Sequence, residues 1–319
     1  MEPPVALHTR DLAAVPPQEL EPLWRYEAQW WQETFLWGIT APLEALRRVV
    51  ERRGVPGQVV YAGTQAVGYT YYMLHGQQGM LSGLVVLPEW NTPEVGTTLL
   101  QATLRALQQQ SMRRLESPCM SMASTQLVPV FEQAGFCTYW RTFLRVALQQ
   151  ASWPVPHTPP LQLLPWQSAS LEREAILMAA AYAQTVDIQL NALYRTSEGC
   201  HAVLDSLVNQ GGCGQLVAEA SACAYIQGQE VGFVLITEIS PRQGHVAQIA
   251  VAPASQGQGI GQALLAYALS QLASLRFHTL SLIVSQANRR ALQLYQAVGM
   301  RPVLSFPVFV WEQESRDPY

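Results

Sequence analysis

Gln256-Gly257-Gln258-Gly259-Ile260-Gly261 stands between a strand-like run, His245 to Val251, and a helix-like run, Gly261 to Leu272. Three alternate glycines let the backbone turn sharply and approach a ligand with no Cβ in the way. The turn opens a helix, whose first N–H groups lack intrahelical partners. Those amides and the helix dipole together make an anion site without any charged side chain. The loop therefore reads as a phosphate cradle, with a ligand-free glycine turn as the plainer alternative.

Two common phosphate motifs are excluded. A dinucleotide fingerprint needs G-x-G-x-x-G and an acid about 20 residues on. Here position 262 is Gln262, and no Asp or Glu occurs between Glu238 and Glu312. A P-loop needs a lysine, and the chain has none. The pattern that fits is Q-x-x-G-x-G after a strand, preceded by Val251-Ala252-Pro253 and followed by Ala263-Leu264-Leu265. Downstream, Leu280 to Val284 reads as a strand, then comes Asn288-Arg289-Arg290-Ala291-Leu292-Gln293-Leu294-Tyr295-Gln296-Ala297-Val298-Gly299-Met300. This pair of motifs resembles the GNAT superfamily of acyl-CoA N-acyltransferases, with Met300 in place of the usual aromatic. The resemblance runs from about Pro165 to Trp311 and is strongest from His245 to Met300.

The resemblance implies a mixed α/β fold, a central mostly antiparallel sheet flanked by helices and splayed between its fourth and fifth strands. It implies acetyl-CoA as co-substrate. The backbone of Ile249 to Val251 would pair with the pantetheine arm. Gln256, Gly257, Gln258, Gly259, Ile260 and Gly261 would hold the pyrophosphate, and Asn288 would bond the pantetheine or phosphate region. Tyr295 would protonate the leaving thiolate, and the Ile249 amide would polarise the thioester oxygen. A packed core tyrosine is the structural alternative for Tyr295. The general base is open: Ala247 and Gln248 stand where the family often has a glutamate, leaving His245, Glu219, Glu238 or a water chain. Between Ile239 and Trp311 the charged side chains are Arg242, Arg276, Arg289, Arg290 and Arg301, a basic stretch suited to a polyanion.

The same unit occurs twice. VAPASQGQGIGQALL from Val251 lies without gaps over VLPEWNTPEVGTTLL from Val86, and LYQAVGM from Leu294 lies over VFEQAGF from Val130. Upstream, Gly57-Gln58-Val59-Val60 resembles Gly214-Gln215-Leu216-Val217. The first copy has Asn91, Thr92, Pro93 and Glu94 against Gln256 to Gly259, and Phe131 against Tyr295; Asn288 falls near Ser124. Proline removes an amide donor, and glutamate brings a negative charge to the expected pyrophosphate position. The reading is residues 1–150 as a degenerate GNAT-like domain, structural or a wall of the substrate site. Residues 151–165 are a Pro-rich linker, and 166–319 the domain that binds acetyl-CoA. The two copies are expected to pack as a pseudo-dimer.

A chain of 319 residues with 49% hydrophobic content suits two ordinary cores. The net charge of −4 argues against nucleic acid as the main partner. No apolar run reaches membrane-spanning length, and Met1-Glu2-Pro3-Pro4 lacks a signal-peptide pattern, so a cytoplasmic location is expected. Cys119, Cys137, Cys200, Cys213 and Cys223 are odd in number without C-x-x-C spacing and read as reduced. The six histidines show no ligand spacing, so no metal is expected. Trp24, Trp30, Trp31 and Trp37 recur at near-helical spacing and read as packing. The acceptor is expected to be an amine of a small molecule or peptide. A silent CoA-binding regulator and a thiol-biosynthesis acetyltransferase resembling mycothiol synthase stay open. In the second half, helices are expected at Leu171–Ala183, His201–Val208, Gly261–Leu272 and Arg289–Val298. Strands are expected near Leu216–Glu219, Glu230–Ile239, His245–Val251, Leu280–Val284 and Pro307–Trp311.

Overall fold

The computed structural model describes residues 6–110, 112–117, 125–148, 153, 161–167 and 171–313. Cys119, Ser124 and most of the expected linker, 151–152 and 154–160, lie outside the described residues. Along the first half run β1 (Leu7–Asp11), α1 (Pro17–Phe35), α2 (Thr40–Glu51), β2 (Gly57–Ala62), β3 (Gln65–His75) and β4 (Gln78–Val86). Then come α3 (Pro93–Gln108), β5 (Arg114–Ser117), α4 (Val128–Gln133) and β6 (Cys137–Ala147). The second half begins with β7 (Leu161–Pro165), α5 (Glu172–Tyr182), α6 (Asp187–Leu190), α7 (Ser197–Asn209), β8 (Gln215–Leu216), β9 (Ala222–Ile226), β10 (Gln229–Ser240) and β11 (Gln243–Val251). It ends with α8 (Ile260–Ser274), β12 (Thr279–Ser285), α9 (Arg289–Ala297) and β13 (Arg301–Glu312).

The chain forms two compact units that are not its sequential halves. One comprises residues 1–140 with 306–319, the other residues 141–305. Each half of the sequence ends in a strand that joins the other half's unit. Arg141–Ala147 of β6 pairs antiparallel with β12, and Phe309–Glu312 of β13 pairs antiparallel with β5. This differs from the expected boundaries at 150 and 166. It also places Leu161–Pro165, expected as linker, in a strand against β9.

The first unit orders its strands β1-β2-β3-β4-β5-β13. Its tryptophans Trp30, Trp31 and Trp37 form one aromatic cluster with Phe35 at the end of α1. Trp24 instead packs with Leu20, Leu23 and Tyr69.

The second unit orders its strands β6-β12-β11-β10-β9-β7, with β8 on the far end of β10. β10 reads as a continuous apolar run because both of its faces are covered. Val234 and Ile236 join Leu264, Leu265 and Leu269 of α8, whereas Phe233 and Leu235 join Met178 of α5 and Leu204 of α7. The alternation is the period of two along a strand.

The duplication holds at the level of strand register. β4 pairs in parallel with β5 over Gln78–Met80 against Arg114–Glu116. β11 pairs in parallel with β12 over Gln243–His245 against Thr279–Ser281, the same positions in the second copy. Each of β4 and β11 also bulges at one matched residue, Ser82 and Ala247. The registers correct one alignment. Gly57–Ala62 is a full strand on β3 and corresponds to β9, whereas Gln215–Leu216 is a two-residue strand followed by a 3-10 turn, Ala218–Ala220. The Gly214 segment resembled it in composition alone.

Candidate active site

The pairing of β11 with β12 stops after His245 and Ser281. Counting from β7, these are the fourth and fifth strands of the second unit, so the splay lies where the resemblance puts it. A cavity of about 570 Å³ extends along β11 to the start of α8, closed by the end of α5 and by α9. Ile249, Val251, Gln256, Gly257, Gly259, Ile260, Gly261, Asn288 and Tyr295 all line it. Gln258 does not; its side chain turns back to donate to the Ala254 carbonyl at 3.3 Å.

The loop's backbone explains its composition. Gly257 and Gly259 have φ of +85° and +80°, a region that strains any residue with a Cβ. Gly261 has another task. A Cβ there would come within 3.0 Å of Leu294, so this glycine lets α8 and α9 approach. Among the described residues, none of the amides from Gly257 through Gln262 has a hydrogen-bond acceptor. Gly259 is the N-cap of α8 and supplies no side chain, and the first turn carries no acid. Unpaired donors at the positive end of a 15-residue helix are a site for an oxyanion.

Side chains brace this loop. Gln256 donates to the Val251 carbonyl at 3.1 Å and accepts from Arg290 Nη1 at 2.9 Å. Arg290 thereby holds a cation beside Gly257 and lines the cavity. Asn288 caps α9, its Oδ1 accepting from the Ala291 amide at 3.1 Å. Its carboxamide oxygen is thus already engaged, and its amide nitrogen is the donor left for a ligand.

Tyr295 is buried, yet its hydroxyl has no hydrogen-bond partner among the described residues. That is not how a core tyrosine is ordinarily accommodated. Burial pushes its phenol well above the usual range, the Asp187 carboxylate adds to this, and Arg141 opposes it. The proton is therefore present at neutral pH.

The expected base positions are not suited to the work. His245 is held where β11 and β12 still pair, its Nδ1 3.0 Å from Ser281 Oγ. Burial and Arg141 lower its pKa to about 3, so it stays neutral. Glu219 is exposed in the turn before β9, and Glu238 accepts from the Arg242 amide in the β10–β11 hairpin. Gln248 is buried among Tyr182, Tyr194 and Met178. Its Oε1 accepts from the Tyr182 hydroxyl at 2.8 Å and from the Ile249 amide at 3.3 Å. The proposed oxyanion donor is thus lightly engaged at long distance.

Sequence reading missed the carboxylate that the fold does bring. Asp187, buried at the start of α6, accepts from Ser285 Oγ at 2.7 Å. Its charge raises the phenol pKa values of Tyr182, Tyr194 and Tyr295, in each case secondary to burial. No short-range motif announces Asp187, because Ser285 is 98 residues away. Another cluster brings Glu174, Cys223 and Glu230 within 4.8 Å of one another. Burial raises all three pKa values, Glu230 to about 7.

A glycine loop with unpaired amides at a helix start, beside a splayed mixed sheet, is the arrangement that the GNAT resemblance implies. Family comparisons agree: the "Acetyltransferase (GNAT) family" model matches residues 194–300, and the "Acetyltransferase (GNAT) domain" model matches residues 14–145. The chain belongs to the GNAT acyltransferases and carries two such domains in tandem. No curated protein sequence matches it. Among solved structures it is similar to a GCN5-related N-acetyltransferase from Sphaerobacter thermophilus, at 20% identity and a TM-score of 0.68, covering 96% of this chain and 95% of that one. It is also similar to a tandem GNAT protein from the clavulanic acid biosynthesis pathway, at 13% identity and a TM-score of 0.53, covering 82% and 84%. A third is the glucosamine N-acetyltransferase region of a fungal GH3 β-N-acetylglucosaminidase, at 15% identity and a TM-score of 0.62. There the match covers 97% of this chain and 38% of that one. Among the described residues, no helix is long and apolar enough to cross a membrane.

Proposed function

We propose that the second unit binds acetyl-CoA and transfers its acetyl group to an amine of a small molecule or peptide, by direct attack. The observation that carries this reading is the run of unpaired amides from Gly257 to Gln262, opening on a cavity that also holds the unpartnered Tyr295 hydroxyl. The residues fit the co-substrate: amides and Arg290 for the pyrophosphate, the free edge of Ile249–Val251 for the pantetheine, Asn288 between them. Binding both reactants in one cleft supplies much of the catalysis through positioning. The Ile249 amide, which gives up a long bond to Gln248, polarises the carbonyl oxygen. Tyr295 delivers a proton to the departing sulfur. Its raised pKa weakens it as an acid in water, but a thiolate formed in the same poorly solvated cleft is a correspondingly stronger base.

The silent-binder reading rested on the lack of a base; a buried carboxylate, Asp187, whose charge acts on Tyr295, weakens it. Gly259→Glu tests the assignment. It puts a Cβ at φ +80° and a carboxylate among the loop amides, copying Glu94 of the first copy. Acetyl-CoA binding measured by calorimetry is expected to vanish; undiminished affinity would remove the cofactor assignment.

A further inference from the structure

Arg141 is a cation of the second unit with no role in the site described so far. It opens the stretch of β6 that the first half of the sequence contributes to this unit. Its Nε is buried with no hydrogen-bond partner, and no ion pair of Arg141 occurs among the described residues. Arg141 as a whole is half-buried, but a buried guanidinium N–H without a partner is costly, and it is seldom kept without a use.

Its surroundings say what it could hold. Arg141 lies directly opposite Ser285 in the β6–β12 register. Directly opposed residues of an antiparallel pair project from the same face, with Cβ atoms about 5 Å apart. Ser285 reaches Asp187 from that face. Arg141 and Asp187 therefore both neighbour Ser285, and no ion pair between them occurs among the described residues. Both act on the phenols of Tyr182 and Tyr295, the two tyrosines that line the cavity. A half-buried cation and a buried anion, both next to Ser285 and not paired to each other, match a ligand that carries both charges.

We propose that Arg141 and Asp187 form the acceptor subsite, and that the acceptor is a primary amine bearing an oxyanion, carboxylate or phosphate. This rests on the acetyl-transfer reading above. Asp187 receives the ammonium, and Arg141 the oxyanion, for which a planar guanidinium is matched in geometry. On the way from ammonium to amide the nitrogen sheds two protons. One goes to Asp187 and from there to solvent. As the C–N bond forms and the C–S bond breaks, the sulfur leaves with the C–S electron pair and takes the Tyr295 proton. The second nitrogen proton restores Tyr295.

The test compares matched amines with and without the anion: β-alanine against β-alaninamide, and phosphoethanolamine against ethanolamine. Acetyl transfer is measured at saturating acetyl-CoA and corrected for the fraction of free amine. At least one anionic amine is expected to exceed its neutral partner about tenfold or more in kcat/KM, and which pair responds tells carboxylate from phosphate. Arg141→Gln is expected to erase that preference through KM, Arg141→Lys to restore part of it, and both to keep the acetyl-CoA Kd, which also reports an intact fold. Equal rates for both members of each pair, a preference that survives Arg141→Gln, or bound acetyl-CoA with no turnover of any of the four amines would overturn the proposal. Absence of acetyl-CoA binding to the unaltered protein would instead overturn the acetyl-transfer reading beneath it.

Discussion

Leu87 to Gly96 and Ala252 to Gly261 occupy the same place in two copies of one motif, each joining a bulged strand to a helix. Their strands share register, and their final glycines share a job. Gly96 lies against Leu127 as Gly261 lies against Leu294. What differs is where the amides go. In the second copy those from Gly257 through Gln262 have no acceptor among the described residues. Trp90 and Asn91 donate within the loop just as Ser255 and Gln256 do, but in the first copy Thr92 and Gly96 also donate within the loop, Val95 donates to the Thr92 hydroxyl, and Pro93 has no N–H. α3 starts at Pro93, two positions before the residue matched to the start of α8. Thr92 caps it and Glu94 sits in its first turn, features that stabilise a helix end by about 0.5–2 kcal/mol and 0.3–1 kcal/mol respectively. The first copy has used for its own stability the donors that the second leaves open. The Tyr295 position repeats the pattern: Phe131 is buried and stacked on Phe309 with ring centres 3.8 Å apart. At the Gln248 position stands Gly83, with the ring of Tyr71 against it.

Separating the two copies is expected to have the largest effect. Residues 161–319 alone lack β6, so β12 loses the strand that pairs with Thr279 to Ser285. An exposed apolar edge aggregates, and the fragment is expected to be insoluble or unfolded by circular dichroism. A fragment from 137 to 305, which keeps β6, is expected to recover secondary structure. A soluble, active 161–319 would contradict the strand exchange.

Next in size is chemistry. Tyr295→Phe copies Phe131 and removes one hydroxyl. Turnover is expected to fall about 10²-fold or more with acetyl-CoA affinity nearly unchanged. Equal turnover would return Tyr295 to packing.

The smallest effect concerns acid. His245 matches Met80 of the first copy. Its folded pKa of about 3 lies below the usual 6.5. Between these values the unfolded chain binds the extra proton, so stability is full above pH 6.5 and falls as pH drops towards 3. His245→Met is expected to flatten the pH 7-to-5 dependence of Tm. An unchanged slope would assign acid sensitivity to other groups.

Much of the site was legible in the sequence because it is local. The loop, the helix after it and the Asn288–Tyr295 segment are contiguous, and Leu280–Val284 and Arg289–Val298 fall within a residue of β12 and α9. The duplication was legible for the same reason. The exchange of β6 and β13 was not. The two strands are equivalent in the repeat, and nothing local says which copy each will join. β9 was missed because Ala222-Cys223-Ala224 offers little strand signal, and its partner strand fixes it instead. Arg141, Asp187 and Gln248 gain meaning only when three distant segments converge on the splay.

If the second copy alone binds acetyl-CoA because the first has closed its loop, isothermal titration of the full chain, alongside the Glu94→Gly and Gly259→Glu variants, decides the matter. One site per chain is expected in the unaltered protein, still one in Glu94→Gly, and none in Gly259→Glu. Two sites per chain, or a site that survives Gly259→Glu, would rule this division of labour out.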